Sequence, residues 1–289
     1  MGLYYSFNRH YTIMQINCKG RLLAMDRPRV MGILNLTPDS FFAGSRIDST
    51  QLAIDKAAQM IEEGASIIDV GGYSSRPGAT EVSLAEEQDR CLPAIYAIAH
   101  AIPDIIISID TFRAPMALEA LKAGASIVND ISAGEDDPEM INVVALHNAP
   151  YIIMHKKGSI KDMQKNPVYD DVTKDVIVYL KNRLEICLDN GIKDLIIDPG
   201  FGFGKTLEHN FSLLKHLKTF SILDKPILAG ISRKRMIQQV TGSDANHSLN
   251  GTTAINMLAL LNGANILRVH DVREASEAIK LFEKYQAAV

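Results

Sequence analysis

Eight short apolar runs, rich in Val and Ile, alternate with longer amphipathic segments along the chain after residue 25. Their apolarity is nearly continuous, which is typical of strands covered on both faces, as in a parallel sheet. The runs are residues 29–36, 66–72, 105–110, 126–131, 151–155, 194–200, 226–232 and 265–271. The helical segments between several of them end on a glycine, as a left-handed helix C-cap prefers, at Gly64, Gly124, Gly191 and Gly263. The pattern therefore predicts repeated β-α units around a parallel sheet.

The number of these units narrows the fold to two architectures. Eight β-α units in about 260 residues are the inventory of a (β/α)8 TIM barrel, and a doubly wound open α/β sheet is the main alternative. No proline-rich linker or compositional break divides the chain, so we predict a single domain over residues 1–289. Residues 4–25, with INCKGRLL around a glycine turn, predict an N-terminal β-hairpin that plugs the bottom of the barrel.

Composition and charge favour a small-molecule ligand. Hydrophobic residues make up 47% of the 289 residues, which is enough for a large core. The 30 basic and 34 acidic residues are intermixed, and their net charge of −4 disfavours nucleic acid as a partner. Three cysteines without a CxxC motif indicate neither a disulfide framework nor a zinc site, and no run of 18 apolar residues predicts a membrane span. We therefore expect a cytoplasmic protein.

Polar side chains able to bind a ligand follow nearly every apolar run at its carboxyl end. In a parallel barrel these ends open onto one face, where active sites are built. A single shared site explains this placement better than eight chance placements do. The residues are Asn35, Asp69, Asp110, Asn129, Asp130, His155, Asp198, Ser232, Arg233, Lys234, Arg268 and His270.

Several of these residues also have purely structural explanations. Asp69 and Asp130 suit helix N-caps or turns, and Asn129 is compatible with an amide that satisfies loop N–H groups. His155 follows an apolar run and is compatible with a hydrogen-bonded core histidine. Lys234 lies in the basic stretch ISRKRM, which a mixed surface helix also produces. The sequence alone leaves these alternatives open.

One part of the polar set suits a flat heterocycle rich in N–H donors. The stretch IIDPGFGFGKTLEHN is not a phosphate-binding loop, because Pro199 and Leu207 stand where the Walker A and dinucleotide motifs require glycine. Its glycines therefore shape a loop after a strand, and Asp198 is the candidate ligand-binding residue of this stretch. With Asp110 and Asn129, Asp198 offers carboxylates and an amide to a heterocycle.

Another part of the set suits a diphosphate with a bound cation. Arg268 and His270 alternate across one strand, so both point to the same side and suggest an anion between them. Arg76 adds a further cation. The side-chain oxygen of Asn35 is able to ligate a hard cation such as Mg2+. The combined set indicates a site for a heterocycle that carries a diphosphate.

With these residues identified, the chain resembles the dihydropteroate synthases of the pterin-binding family over roughly residues 29–282. The ordered segments behind the resemblance are MGILNLTPDSFFAGS, IIDVGGYSSRPGA, ISIDTFR, IVNDISAG, IIMH, IIDPGFGFGKTLEHN, ILAGISRKRMI and ILRVHDV. The first, second and seventh segments together are highly specific. By contrast, NDISAG and DPGFGFGK also suit related methyltetrahydrofolate-binding domains.

The resemblance implies a transferase of folate biosynthesis that acts as a homodimer. It joins 4-aminobenzoate to (7,8-dihydropterin-6-yl)methyl diphosphate, with Mg2+ on the diphosphate, and releases 7,8-dihydropteroate and diphosphate. The implied pterin contacts are Asp110, Asn129, Asp198, Gly230 and Lys234, with Met154 and Phe203 on the two faces of the ring. The implied diphosphate and metal contacts are Asn35, Arg76, Arg268 and His270. The implied 4-aminobenzoate contacts are Phe41, Ser75, Arg76, Pro77 and Ser232. The residues expected to be catalytic are Lys234, Asp110, Arg268 and His270.

Two positions depart from the family pattern. Tyr73 stands where Glu is frequent, and Ser75 stands where Thr is common. We expect these two departures to shift the affinity for 4-aminobenzoate or sulfonamides. Because Ser75 keeps the hydroxyl, we expect no loss of activity. Lys156 and Lys157 replace a less basic pair, and nothing in the sequence assigns them a role.

The main alternative function is a carrier domain that presents methyltetrahydrofolate to a corrinoid protein. Such a domain needs Asn129 and Asp198 but not TPDSFF, SSRPG or the pair of Arg268 and His270, all of which are present. An inactive barrel is weaker still, because no ligand position is visibly broken. For the reaction itself we favour dissociative substitution over direct displacement, because an electron-rich pterin delocalises the developing positive charge.

Overall fold

A computed structural model of the chain describes residues 14–36, 46–73, 82–158, 163 and 167–288. Within these residues an antiparallel hairpin, β1 (Gln15–Cys18) and β2 (Arg21–Ala24), precedes a parallel sheet. The parallel strands are β3 (Arg29–Asn35), β4 (Ile67–Gly71), β5 (Ile107–Asp110), β6 (Ile127–Asp130), β7 (Tyr151–Met154), β8 (Leu195–Asp198), β9 (Leu228–Ala229) and β10 (Ile266–Val269). Each of the eight predicted apolar runs contains one of these strands.

Helices alternate with the parallel strands along the described part of the chain. They are α1 (Arg46–Glu62), α2 (Leu84–Ala101), α3 (Ala114–Ala123), α4 (Glu139–Leu146), α5 (Val172–Asp189), α6 (Leu207–Lys215), α7 (Arg235–Thr241), α8 (Leu249–Leu261) and α9 (Val272–Gln286), with a 3-10 helix over Leu217–Leu223. The four glycines predicted to end helices, Gly64, Gly124, Gly191 and Gly263, all have positive φ. Among the described helices, none combines the length and apolarity needed to cross a bilayer.

The parallel strands form a nearly closed barrel. They pair in the order β8-β7-β6-β5-β4-β3-β10-β9. The two edges of this sheet meet where Ile197 of β8 bridges Ile227, directly before β9, and the Ile197 N–H donates to the Pro226 carbonyl at 2.9 Å. This closure confirms the predicted TIM barrel and excludes the open sheet. The single domain over residues 1–289 stays a prediction.

The strands lie between the barrel interior and the ring of helices, which explains their sequence pattern. Every residue of β4, β6, β7 and β8 is buried. Side chains on both faces of each strand therefore meet other protein atoms, and apolar residues are favoured at successive positions. The polar exceptions lie near the carboxyl ends of the strands, as Asp69, Asn129 and Asp198 do.

The hairpin covers the bottom of the barrel, as predicted. Its buried side chains share one apolar cluster with residues near the amino-terminal ends of the parallel strands. This cluster consists of Ile16, Cys18, Leu23, Met25, Met31, Ile67, Ile106, Ile127, Ile152, Ile196, Leu228 and Ile266. Arg21 also donates from Nη1 to the Ile105 carbonyl at 3.0 Å. Residues 4–13 of the predicted hairpin segment lie outside the described residues.

We predict that replacement of Leu23 by alanine destabilises the fold, because Leu23 is 7% exposed and fills the bottom cluster. The free energy of unfolding should fall by about 2–5 kcal/mol in chemical denaturation. Leu22→Ala is the matched control, since Leu22 is 64% exposed on the same strand, and it should change stability by less than about 0.5 kcal/mol. Equal effects of the two substitutions would contradict the placement of the hairpin.

Candidate active site

Side chains from four strands form a hydrogen-bonded network across the mouth of the barrel, the end at which the strands have their carboxyl termini. Arg268 of β10 donates from Nε to Asp69 Oδ2 at 2.6 Å and from Nη2 to Asp110 Oδ2 at 2.5 Å. Asn129 of β6 donates from Nδ2 to the same Asp69 oxygen at 3.1 Å. We refer to Asp69, Asp110, Asn129 and Arg268 as the cross-barrel network. It links β4, β5, β6 and β10 through their side chains.

Burial and charge set the protonation of this network. Burial raises the pKa of Asp110 to about 7, a shift that Arg268 opposes and that Asp69 reinforces. Burial alone would lower the pKa of Arg268, but Asp69 and Asp110 raise it above its usual value, so the guanidinium stays charged. The Oδ1 atoms of Asp69 and Asp110 are buried and have no hydrogen-bond partner among the described residues. Buried oxygens of this kind can accept N–H groups of a ligand.

The carboxyl group of Asp198 and the amine of Lys234 lie beside the network. Asp198 ends β8, and its Oδ1 accepts the Gly200 N–H at 2.7 Å. Burial raises the pKa of Asp198, against the effects of Lys234 and the Gly200 N–H. Burial lowers the pKa of Lys234 to about 8, and Asp198 opposes that shift. Gly230 lies next to both side chains, since a Cβ there would be 3.7 Å from Asp198 Oδ2 and 3.9 Å from Lys234 Nζ.

An apolar slot lies next to these charged groups. It consists of Ile131, Met154, Met163 and Phe203, which form one buried cluster. The Lys234 ammonium lies 4.7 Å from the centroid of the Phe203 ring and donates to a backbone carbonyl of the loop after β8. The predicted partners on the two faces of a ring, Met154 and Phe203, therefore lie in the same cluster. Apolar side chains beside carboxylates suit a polar heterocycle.

The loop after β8 is held by a buried lysine that the sequence analysis did not identify. Lys205 is 3% exposed, and its Nζ donates to the carbonyls of Gly200 at 2.8 Å and Phe203 at 3.0 Å. The same Nζ lies 2.9 Å from His155 Nδ1. Burial and then the charge of Lys205 lower the pKa of His155 to about 2, so the imidazole is neutral and Nδ1 can accept. His155 is therefore a core histidine.

Gly200 is a glycine of this loop that no other residue can replace without movement. Its φ is +72°, and a Cβ there would lie 1.8 Å from the His155 carbonyl oxygen. The chain must pass this close to the end of β7 so that Lys205 can reach both segments. The glycine thus allows a close approach of two backbone segments, in the loop that the sequence predicted after this strand.

The loops after β9 and β10 are joined by two side-chain contacts. Ser232 Oγ lies 3.0 Å from His270 Nδ1 and accepts the His270 backbone N–H at 3.2 Å. Arg233 donates to the carboxylate of Asp271 through Nε at 2.9 Å and Nη2 at 2.5 Å. Lys234 follows as the N-cap residue of α7, so it lies at the start of that helix and not on its surface.

The structure places Asn35 at the same mouth. Asn35 ends β3 and pairs in register with Gly71, which in turn pairs with Asp110. A Cβ on Gly71 would lie 3.7 Å from Asn35 Oδ1 and 3.8 Å from Asp110 Oδ2. Asn35 and Asp110 therefore approach each other across this glycine. The predicted residues Phe41, Ser75, Arg76 and Pro77 lie outside the described residues.

Asp130 has the structural role that the sequence left open. Its Oδ1 accepts from the N–H and the hydroxyl of Ser132, and its Oδ2 accepts from the Gly134 N–H and the Tyr151 hydroxyl, each at 2.7 Å. All four donors are provided by the protein, so Asp130 shapes the turn after β6. Asp69, in contrast, caps no helix and belongs to the cross-barrel network.

The lysines of MHKKG hold the loop after β7. Lys156 forms an ion pair with Asp136 at 2.8 Å. The Lys157 ammonium lies 4.3 Å from the centroid of the Tyr169 ring. Both side chains therefore make contacts within the protein that fix the loop next to Met154. The sequence offered no interpretation of this pair, because the partners lie on other loops.

The segment after β4 is anchored at both ends by arginines that sequence reasoning also missed. Arg90 donates from Nη1 to the Gly72 carbonyl at 2.7 Å. Arg113 donates from Nη2 to the Val82 carbonyl at 2.7 Å and pairs with the fully buried carboxylate of Glu87. No local signal distinguishes Glu87 from an exposed glutamate of α2. The stretch GFGK, in contrast, contained a signal for Lys205, because a lysine in a glycine-rich loop between buried residues needs acceptors.

Comparisons with known proteins agree with this geometry. A family model described as pterin binding enzyme matches residues 31–270. The dihydropteroate synthase of Escherichia coli strain K12 is 43% identical over 272 residues, which are 93% of this chain and 96% of the relative. A solved structure of Xanthomonas albilineans dihydropteroate synthase with 4-aminobenzoic acid is 40% identical, with a TM-score of 0.89 and coverage of 96% of this chain and 100% of that chain. Dihydropteroate synthase from the same organism in complex with 7,8-dihydropteroate gives a TM-score of 0.86 at 36% identity, with the same coverage of both chains.

We predict that Lys205→Met loosens the loop after β8. The carbonyls of Gly200 and Phe203 each lose a buried donor, and a buried group left without its partner costs about 1–3 kcal/mol, so the free energy of unfolding should fall by about 2 kcal/mol or more. Lys215→Met is the control, because Lys215 is exposed at the end of α6. Urea denaturation measures both. A Lys205→Met protein as stable as the control would show that Nζ does not hold this loop.

Proposed function

The chain belongs to the pterin-binding enzyme family, and we propose that it catalyses the reaction of the dihydropteroate synthases that it resembles. It is a transferase that joins 4-aminobenzoate to (7,8-dihydropterin-6-yl)methyl diphosphate, giving 7,8-dihydropteroate and diphosphate in folate biosynthesis. The observation that carries this proposal is the mouth of the barrel, where buried acceptor oxygens of the cross-barrel network lie next to the apolar slot. A corrinoid-linked carrier is disfavoured, because the relatives that match nearly full length are synthases.

The pterin ring binds with its N–H groups on carboxylates and its faces on the slot. Asp198, Asp110 and the amide of Asn129 accept from or donate to the ring nitrogens and the amino group. The unpartnered Oδ1 of Asp110 supports this role, because it is a buried acceptor. Met154 and Phe203 pack on the ring, while Lys234, which the structure places over Phe203, reaches the pterin carbonyl and N5.

The diphosphate binds next to the pterin, to Arg268 and His270, and Arg76, which lies outside the described residues, is a further proposed contact. Arg268 uses two of its five N–H donors on Asp69 and Asp110, so donors of the same guanidinium remain for an oxygen of the diphosphate. Its charge is already balanced by these carboxylates. The cross-barrel network therefore has no net positive charge with which to attract a diphosphate, and an additional cation is needed.

We propose Mg2+ as that cation, with Asn35 as its ligand from the protein. Mg2+ takes oxygen ligands, keeps several waters and is usually bound together with substrate phosphates. Asn35 Oδ1 is an oxygen at the mouth, close to Asp110, and fits this chemistry. The described residues contain no group of three or more His, Cys, Asp or Glu suited to a metal, so a cation held jointly with the diphosphate fits better than an all-protein cage. When bound, Mg2+ neutralises charge on the leaving diphosphate.

The charges of the mouth favour dissociative substitution. As the C–O bond to the diphosphate breaks, positive charge develops on the pterin, and the carboxylates of Asp69, Asp110 and Asp198 lie around the proposed ring position to stabilise it. Arg268 and His270 hold the leaving group. The weakly basic aniline of 4-aminobenzoate then attacks without a dedicated general base, and the acidic anilinium that forms loses its proton to water or to the released diphosphate. The proposed contacts of 4-aminobenzoate are Ser232, Phe41, Ser75 and Pro77.

The proposed compartment is the cytoplasm, and the proposed partners are the two small-molecule substrates. Cys18, Cys91 and Cys187 are free and buried. Burial raises the pKa of the Cys18 thiol to about 12, so it is unreactive and needs no disulfide partner. Free thiols support a reducing compartment. The net charge of −4 supports small molecules over nucleic acid as partners.

We propose that two copies associate through α8 and α9, which pack against each other. Leu258 and Leu261 of α8 are 44% and 42% exposed, and Leu281 and Tyr285 of α9 are 66% and 68% exposed. Within each helix the two residues lie three or four positions apart, on one face. Exposed apolar side chains on two adjacent helices are typical of an interaction surface, and an identical surface on a second copy matches it.

This homodimer predicts a mass of twice 31.8 kDa in sedimentation, and Leu281→Glu should reduce it to that of one chain. A buried carboxylate at the interface has no partner, so dissociation is favoured. Leu146→Glu is the matched control, because Leu146 is 79% exposed on α4, and its mass should stay that of the dimer. A monomeric wild-type protein would contradict the proposed assembly.

The reaction itself is tested by formation of 7,8-dihydropteroate from the two substrates with Mg2+. Asp198→Asn and Lys234→Ala should each lower kcat/KM by about 10- to 100-fold, because a hydrogen bond to a charged group contributes about 1.5–3 kcal/mol. The matched controls are Asp189→Asn and Lys215→Ala, at exposed helix ends. EDTA should abolish turnover and added Mg2+ should restore it. No product from the wild-type protein would overturn the proposed reaction, and wild-type rates in both site variants would overturn the proposed position of the pterin.

A further inference from the structure

Tyr73 lies at the mouth and contacts the apolar slot. It follows the glycines at the end of β4, and its ring packs against the cluster that contains Met154 and Phe203. The ring also meets Phe112 edge to face, with centroids 5.3 Å apart and an interplanar angle of 86°. Two aromatic and apolar contacts thus fix the orientation of the Tyr73 ring. No role was assigned to this residue in the reaction above.

The hydroxyl of Tyr73 is buried and has no hydrogen-bond partner among the described residues. Burial, followed by the charges of Asp110, Asp130 and Glu87, raises the pKa of Tyr73 well above its usual value, against the effect of Arg268. The hydroxyl therefore keeps its proton and can donate. Buried polar groups are hydrogen-bonded in the great majority of cases, so this hydroxyl is available to donate to an acceptor of a bound ligand.

A second buried atom without a partner lies on the neighbouring strand. Gly71, two residues before Tyr73, pairs in register with Asp110, whose Oδ1 also has no partner among the described residues. The two orphaned atoms differ in kind, because the carboxylate oxygen accepts while the hydroxyl donates. The edge of a heterocycle can match both atoms. A ring nitrogen or carbonyl accepts from the hydroxyl, and a neighbouring N–H group donates to the carboxylate oxygen.

Most of the other polar groups at the mouth are hydrogen-bond acceptors. An acceptor atom of a bound ligand therefore needs a donor from the protein. Asn129 already donates from Nδ2 to Asp69, and Lys234 donates to the carbonyl of Phe201. Tyr73 adds a donor without adding a charge next to Asp110 and Arg268. A ring acceptor that faces this side of the site finds a donor in its hydroxyl.

We propose that the Tyr73 hydroxyl donates a hydrogen bond to the pterin ring beside Asp110, so that Tyr73 is a specificity-determining residue for the pterin substrate. This inference rests on the proposed function, because it takes the pterin to bind at this mouth. It assigns the departure at position 73 to recognition of the pterin, and not to recognition of 4-aminobenzoate.

Tyr73→Phe tests the inference, since it removes only the hydroxyl and keeps the ring that packs on Phe112. Calorimetric titration with 6-hydroxymethylpterin should give a Kd about 3- to 10-fold higher than for the wild-type protein, as expected for one lost hydrogen bond. The KM for 4-aminobenzoate should not change. Tyr96→Phe is the matched control, because Tyr96 is 56% exposed on α2, and its Kd should equal that of the wild type.

Each outcome bears on the inference. An unchanged Kd for the pterin in Tyr73→Phe would overturn it, and so would a raised KM for 4-aminobenzoate at an unchanged Kd for the pterin. Failure of the proposed function is separately visible, because the wild-type protein would then neither bind 6-hydroxymethylpterin nor form 7,8-dihydropteroate. If the wild type binds the pterin and turns over, and Tyr73→Phe behaves like the wild type, the role of the Tyr73 hydroxyl is rejected while the proposed function stands.

Discussion

The Arg268 guanidinium lets two carboxylates lie inside an apolar barrel, and the rest of the site depends on this ion pair. Carboxylates removed from water are costly unless they are paired and hydrogen-bonded. Arg268 contacts one oxygen of Asp69 and one of Asp110, and it leaves the other oxygen of each without a partner among the described residues. The network is therefore stable enough to be buried and still able to accept N–H groups. With two carboxylates to one guanidinium, the network has no net positive charge, so a metal ion is proposed to bind with the diphosphate.

The slot next to this network depends on a different buried side chain. Lys205 ties the loop after β8 to the end of β7, and Gly200 permits the close approach that this requires. Phe203 is thereby placed against Met154, with the Lys234 ammonium over its ring. The cross-barrel network thus provides polar recognition and the apolar slot provides packing, and both lie at the mouth of the barrel. A heterocycle rich in N–H groups is the ligand that uses both.

The architecture could be predicted from the sequence because its signals are local. Each strand is buried on both faces and so reads as a continuous apolar run, and strand ends in a parallel barrel share one face. Contacts between distant segments had no such signal. Asp69 lies 199 positions from Arg268, so its pairing was invisible, and His155 stayed ambiguous until Lys205 was seen 50 positions away. Tyr73 departs from the family pattern in sequence, but the lack of a partner for its hydroxyl depends on the packing of distant segments around it.

The most direct test of the account is a crystal structure of the protein with 6-hydroxymethylpterin. The ring is expected between Met154 and Phe203, with its N–H edge within hydrogen-bond distance of Asp198 and Asp110. A pterin bound away from the mouth, or bound there without contact to either carboxylate, would contradict the claim that the buried acids recognise the heterocycle.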